Sequence, residues 1–221
     1  MLRALATLFV SLGLACALAA QTALPAAGKI ILFLGDSLTA GYGLPDPATQ
    51  AYPALLQEKI DALATPDGTP PWRVVNAGIS GDTTSGGLRR IDWVTRRPVA
   101  LLVLALGSND GLRGLAPALV EKNLTAIAER VLTKNPDARV LLLGQRMPTS
   151  MGDYAAQFDA VFPALAVRNG WAFAPFLLEG VGGVRDLNQA DAIHPNEEGH
   201  LRMAATVWAA LEPLLAAPQP R

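Results

Sequence analysis

The chain offers few side chains from which covalent chemistry could be built: two histidines, one cysteine, and a serine where an apolar run ends. Residues Ile30 to Leu34 are apolar and stop at Gly35-Asp36-Ser37. A serine hydroxyl is a poor nucleophile unless a neighbouring base takes its proton. His194 suits that task, because Asp191 stands three residues before it. One turn of chain can bring such a carboxylate to the imidazole Nδ1. There it fixes the tautomer and supports the imidazolium formed during attack. His200 falls inside a predicted helix, on a different face, and reads as a surface or packing residue. Acyl transfer also needs donors aimed at the developing oxyanion. The candidates are the side-chain amide of Asn109 and the backbone N–H groups of Gly78 and Ser37. Asp36 and Asp110 read as turn or capping residues, and Arg113 as the partner of a nearby carboxylate.

These residues are separated by patterns that must bring them together. Apolar runs recur at Ile30–Leu34, at Val74–Val75 leading into Asn76-Ala77-Gly78, at Val99–Leu106 and at Val140–Leu143, with a weaker one at Trp171–Phe173. Runs apolar on both faces suit strands covered by helices on either side. Between them, Val120, Leu124, Ile127 and Val131 recur at helical spacing, with Pro117 fitting the first turn and Asn135-Pro136 the stop. Residues 196–215 repeat the pattern through Leu201, Ala204, Trp208, Leu211 and Leu215. Segments 50–63 and 153–169 are further helices. Alternating strands and helices predict a parallel sheet in a three-layer α/β/α sandwich. In such folds the working residues lie just past the carboxyl ends of strands. Ser37, Gly78 and Asn109 all stand there, and the Asp191–His194 block precedes the last helix.

The first twenty residues differ in kind. A short basic start, an apolar stretch and an Ala-rich end predict a signal peptide over 1–20, followed by a single domain over 21–221. The mature protein is then periplasmic or secreted, with no stable membrane span once the leader is cleaved. Cys16 lies in the leader, so cysteine nucleophiles, disulfides and cysteine metal sites fall away. A formal net charge of −1, with no basic stripe, argues against a nucleic-acid partner.

Four blocks, Gly35-Asp36-Ser37-Leu38, Gly78 after Asn76-Ala77, Gly107-Ser108-Asn109-Asp110 and Asp191-Ala192-Ile193-His194-Pro195, resemble those of the GDSL, or SGNH, hydrolases and occur in the same order. Ile79-Ser80-Gly81-Asp82-Thr83 and Asn109-Asp110-Gly111-Leu112-Arg113-Gly114 are similar to the bacterial periplasmic thioesterase–lysophospholipase (arylesterase) branch. The resemblance implies a flavodoxin-like sandwich with five parallel strands. It also implies Ser37 as nucleophile, His194 as base, Asp191 as its orienter, and Ser37, Gly78 and Asn109 as the oxyanion hole. The implied substrates are small acyl esters, thioesters or lysophospholipids; separately, a monomer is expected, and two histidines without a cysteine outside the leader predict no metal or cofactor. Loops 147–154 and 176–184 are expected to wall an acyl groove, with Met147 and Leu178 touching substrate. The competing reading is a non-catalytic binding module of the same fold, which would have no need of Ser37 and His194 together.

Overall fold

The computed structural model describes residues 28–63 and 71–216. The predicted leader and Cys16 lie outside these residues. Five strands carry the apolar runs: β1 (Lys29–Gly35), β2 (Trp72–Gly78), β3 (Leu101–Ala105), β4 (Arg139–Leu143) and β5 (Ala172–Ala174). They form one all-parallel sheet in the order β2-β1-β3-β4-β5. β1 and β3 lie inside it and are buried on both faces, as their unbroken apolar runs require.

Eight α-helices occur among the described residues: α1 (Ser37–Ala40), α2 (Pro47–Gln50), α3 (Tyr52–Asp61), α4 (Thr84–Val94), α5 (Ser108–Leu112), α6 (Pro117–Lys134), α7 (Asp153–Asn169) and α8 (Glu197–Ala216). Alternate residues of each strand point to opposite faces. Ile30, Leu32 and Leu34 therefore meet Ile91 of α4, Leu124 and Ile127 of α6, and Phe158 and Phe162 of α7. Ile31 and Phe33 meet Leu56 and Ile60 of α3, and Met203, Val207 and Leu211 of α8. The expected three-layer sandwich is thus present, with α4, α6 and α7 on one face and α3 and α8 on the other.

Two elements differ from the sequence expectation. The buried stripe of α8 runs through His200, Met203, Ala204, Val207 and Leu211, whereas Leu201 is exposed. The helix is rotated because His200 takes a core position. α4 was not anticipated: its first turn, Thr84-Ser85-Gly86-Gly87, reads as a loop because glycine disfavours helix interiors. It forms because Thr83 caps it, accepting from the N–H of Gly86. Gly86 is needed there, since a Cβ would overlap the Asp82 carboxylate.

Candidate active site

The chain leaves β1 for β2 on one side and returns to β3 on the other, so the crevice above β1 is where the crossovers part. Ser37 stands at that point. β1 ends at Gly35, Asp36 caps the short α1 by accepting from the N–H of Leu38 at 3.1 Å, and Ser37 is the first helical residue. Its backbone N–H belongs to the first turn, where donors have no intrahelical acceptor.

The facing side chains come from the segment before α8. His194 Nε2 lies 3.0 Å from Ser37 Oγ, and His194 Nδ1 lies 2.7 Å from Asp191 Oδ2. Asp191 Oδ1 accepts the backbone N–H groups of Ile193 and His194, each at 3.0 Å. The hydrogen bond from the His194 ring and these two backbone donors hold the Asp191 carboxyl down at about 2. A carboxylate only accepts, so Nδ1 carries the proton, and in the neutral ring Nε2 is left to accept from the Ser37 hydroxyl. The turn is tight enough that Ala192 adopts φ of 57°, the sole positive-φ residue other than glycine among the described residues.

One unforeseen side chain holds this loop in place. Gln189 donates its Nε2 to the carbonyls of Tyr42 and Pro195, at 2.7 and 2.9 Å, and its backbone N–H to the His194 carbonyl at 2.8 Å. The Tyr42 ring, from the loop after α1, stands 4.6 Å from the His194 ring. Nothing in a lone glutamine signals such a role.

The oxyanion candidates fare unequally. Asn109, in α5, directs its Nδ2 to the Asp82 carbonyl at 3.0 Å and to Asp36 Oδ2 at 3.4 Å, bridging the loops after β1 and β2. Gly78 is different. Its N–H already donates to Asn76 Oδ1 at 2.9 Å, and a Cβ there would overlap the Ala40 backbone. The glycine serves close packing of β2 against α1, and the expectation of a free donor at Gly78 is corrected. Gly81, three residues on, is exposed, has φ of 78°, and its N–H has no acceptor among the described residues. It directly precedes Asp82, whose carbonyl holds Asn109.

Met147 and Leu178, expected in a groove wall, pack against different parts of the core. Met147 is buried in the core on the α4–α6–α7 face, against Gly111 and Phe158, with its N–H given to Asp159 at 2.9 Å. Leu178 packs on the opposite core, that of α3 and α8. The segments around them nonetheless meet past the strand ends, where Arg146 Nη1 lies 3.3 Å from Glu179 Oε2 and its guanidinium stands 5.0 Å from the Phe176 ring.

The other polar residues hold the frame. Asp36 is 1% exposed, and burial pushes its carboxyl up to about 6. Asp110 is buried and accepts from the N–H and hydroxyl of Thr84, at 2.9 and 2.6 Å, tying α5 to α4. Arg113 donates to the Gly81 carbonyl at 3.1 Å rather than pairing with a carboxylate. His200 is 1% exposed; its Nδ1 accepts the N–H of Tyr52 at 3.1 Å, and burial lowers its pKa to about 4. It is a packing residue and takes no part at the cleft.

The arrangement is a hydroxyl, an imidazole and a carboxylate in series, beside loops that carry amide donors. Residues 33–202 match the model of the GDSL-like lipase/acylhydrolase family. The chain is 43% identical to esterase TesA of Pseudomonas aeruginosa, over 86% of this chain and 91% of that protein. It is 38% identical to thioesterase 1/protease 1/lysophospholipase L1 of Escherichia coli K12, over 86% of each. It also superposes on the crystal structure of the psychrotrophic esterase EstA from Pseudoalteromonas sp., inhibited by monoethylphosphonate, with a TM-score of 0.76 and 30% identity over 86% of this chain and all of that one.

Proposed function

The chain belongs to the GDSL-like lipase/acylhydrolase family, and from that premise we propose that Ser37, His194 and Asp191 form the triad of this carboxylic ester hydrolase. The observation that carries the reading is the unbroken series Ser37 Oγ to His194 Nε2 at 3.0 Å and His194 Nδ1 to Asp191 Oδ2 at 2.7 Å.

The mechanism follows from the geometry. Ser37 Oγ attacks the acyl carbonyl while His194 Nε2 takes its proton, and Asp191 stabilises the imidazolium without itself being protonated. The tetrahedral oxyanion is met by the Ser37 N–H, by the Gly81 N–H in place of Gly78, and by Asn109 Nδ2, which gives up its long 3.4 Å contact with Asp36 and keeps its bond to the Asp82 carbonyl. His194 then protonates the leaving alkoxide or thiolate, and the acyl group stays on Ser37. Water, deprotonated by His194, hydrolyses that acyl-enzyme and restores the serine. The same steps serve oxygen esters and thioesters, because the triad handles the carbonyl and asks little of the leaving atom.

The substrates of this reading are small acyl esters, acyl thioesters and lysophospholipids. Support comes from the names of the two relatives, an esterase and a thioesterase/lysophospholipase. The reading includes an exported monomer, released to the periplasm or beyond by cleavage after residue 20. For export the support is the basic start, apolar stretch and Ala-rich end of residues 1–20.

The test is hydrolysis of p-nitrophenyl butyrate by the chain from Gln21, alongside Ser37→Ala and fluorophosphonate labelling mapped by peptide mass. Turnover that disappears in the variant, with label on Ser37, is expected. Turnover that persists in Ser37→Ala would overturn the assignment.

A further inference from the structure

Arg90, on α4, is a residue the triad does not use, yet its side chain is only 15% exposed and it spends its donors on the site's supporting loops. Its Nε donates to Asp82 Oδ2 at 2.7 Å, its Nη1 to the Ala77 carbonyl at 2.6 Å and its Nη2 to the Gly35 carbonyl at 3.0 Å. We infer that Arg90 is a positioning residue that sets the geometry of the oxyanion hole by tying the end of β1, which leads to Ser37, to the end of β2 and the Gly81–Asp82 turn, which holds Asn109. The inference rests on the oxyanion hole proposed above.

Each acceptor lies on a segment that leads to a proposed donor or orients one. Gly35 ends β1, and only Asp36 separates it from Ser37. Ala77 is near the end of β2, where the chain enters the turn to Gly81. Asp82 follows Gly81, and its backbone carbonyl takes the Asn109 amide at 3.0 Å. One guanidinium thus fixes the ends of β1 and β2 and the turn that orients Asn109. The fork is planar and rigid, so three bonds in three directions define a geometry rather than a distance. The ammonium of lysine is a point donor on a flexible stem and cannot reproduce it.

Arg90 acts through placement rather than through its charge. The Asp82 carboxylate at 2.7 Å neutralises the guanidinium locally, and every other bond it makes ends on a backbone carbonyl. Gly86 belongs to the same device: without a Cβ it leaves room for the Asp82 carboxylate to turn toward Arg90. Gly86, which weakens the start of α4, is therefore in part a requirement of the site, whereas Gly87 serves packing against Leu106.

Positioning of this kind has a kinetic signature. Loss of one oxyanion donor costs about 10²–10³ in kcat, and displaced donors lose a part of that. Arg90→Ala and Arg90→Lys should each lower kcat on p-nitrophenyl butyrate by about 10–100-fold with KM within about threefold, because the donors act on the transition state. Inactivation by a fluorophosphonate, whose adduct carries a tetrahedral centre, should slow in parallel. In an Asn109→Ala background the cost of Arg90→Ala should shrink at least about fivefold, since much of what Arg90 positions is already gone.

A folded Arg90→Ala protein with unchanged kcat would overturn the inference. So would an equal fold-loss in both backgrounds, the mark of a role unconnected to Asn109. If Arg90→Ala does not fold, Arg90→Lys and Asp82→Asn, which preserve bulk, are read by the same split of kcat from KM. Ser37→Ala run beside them separates the two claims: residual turnover there removes the catalytic assignment, whereas its loss with Arg90 variants at full activity removes only this one.

Discussion

His194 and His200 stand six positions apart in one continuous segment, yet their surroundings give them opposite work. His194 sits on a loop with a carboxylate on one ring nitrogen and a hydroxyl on the other. His200 sits in a helix with a backbone N–H on Nδ1, a tyrosine ring stacked alongside at 6.3 Å, and almost no contact with water. One ring is wired to gain and lose a proton. The other is held neutral, so that its lone pair can satisfy the buried start of α3. What separates a base from a structural acceptor here is the partner on Nδ1: a carboxylate that accepts, or an amide that donates.

Replacing each in turn should divide activity from stability. His194→Ala should lower kcat by about 10⁶, as removal of a triad base does elsewhere, with the unfolding midpoint nearly unchanged. His200→Ala should keep most of its kcat but lose about 1–3 kcal/mol of stability, the cost of leaving a buried donor, the Tyr52 N–H, unpaired. Denaturant titration of both variants beside their kinetics checks this. Equal losses of activity would erase the distinction.

Next in size is the partner that defines the base. Asp191→Asn preserves shape but can present an N–H to the ring and favour the wrong tautomer, so a kcat loss of about 10⁴ is expected with the fold intact. Steady-state kinetics and circular dichroism decide it; near-wild-type turnover would mean that His194 is oriented by its loop alone.

The smallest effect is a slope. The folded pKa of His200 is lowered to about 4 by burial, so between pH 6.5 and 4 the unfolded chain binds a proton the folded chain refuses. Stability from this group is full above 6.5 and is lost as pH falls, by about 3 kcal/mol at about 1.36 kcal/mol per pKa unit. Asp36 has the opposite sign. Its folded pKa is raised to about 6 by burial, so the folded chain keeps a proton the unfolded chain releases. Stability then falls as pH rises from about 3.8 to about 6, again by about 3 kcal/mol. The two slopes offset one another over nearly the same window. Asp36→Asn should therefore uncover a protein destabilised by acid, and His200→Gln one destabilised as pH rises toward 6. Urea unfolding at pH 4 and 6.5 reads both; parallel slopes in the two variants would contradict the assignment.

What the sequence disclosed follows from what a pattern can carry. β1, β3, α6 and α7 were legible because each buries a long apolar face, and burial is written in residue type. Ser37, His194, Asp191 and Asn109 were legible because their chemistry is, too, and the fold brings them to one crevice. α4 stayed hidden because its first turn is shaped by the needs of Asp82. Gly78 misled because a glycine required for packing and a glycine offering an N–H look alike in one dimension. Which core Met147 and Leu178 pack on was not legible, because apolar loop residues can close either core of a sandwich and only the path of the chain decides which. Gln189 and Arg90 left no trace, since all but one of the partners of their side chains, the Asp82 carboxylate, are backbone carbonyls, and backbone atoms are the same everywhere.

The hydrogen bond between His194 and Ser37 joins positions 157 residues apart, whereas the Asp191–His194 pair closes within three. The proposed nucleophile and base thus belong to pieces that the docking of α8 on the sheet, and the bond from Gln189 to the Tyr42 carbonyl, bring together. Cut in the loop between β5 and Asn188, neither fragment would hold a complete triad, and turnover in a mixture would count the molecules whose two halves had found each other.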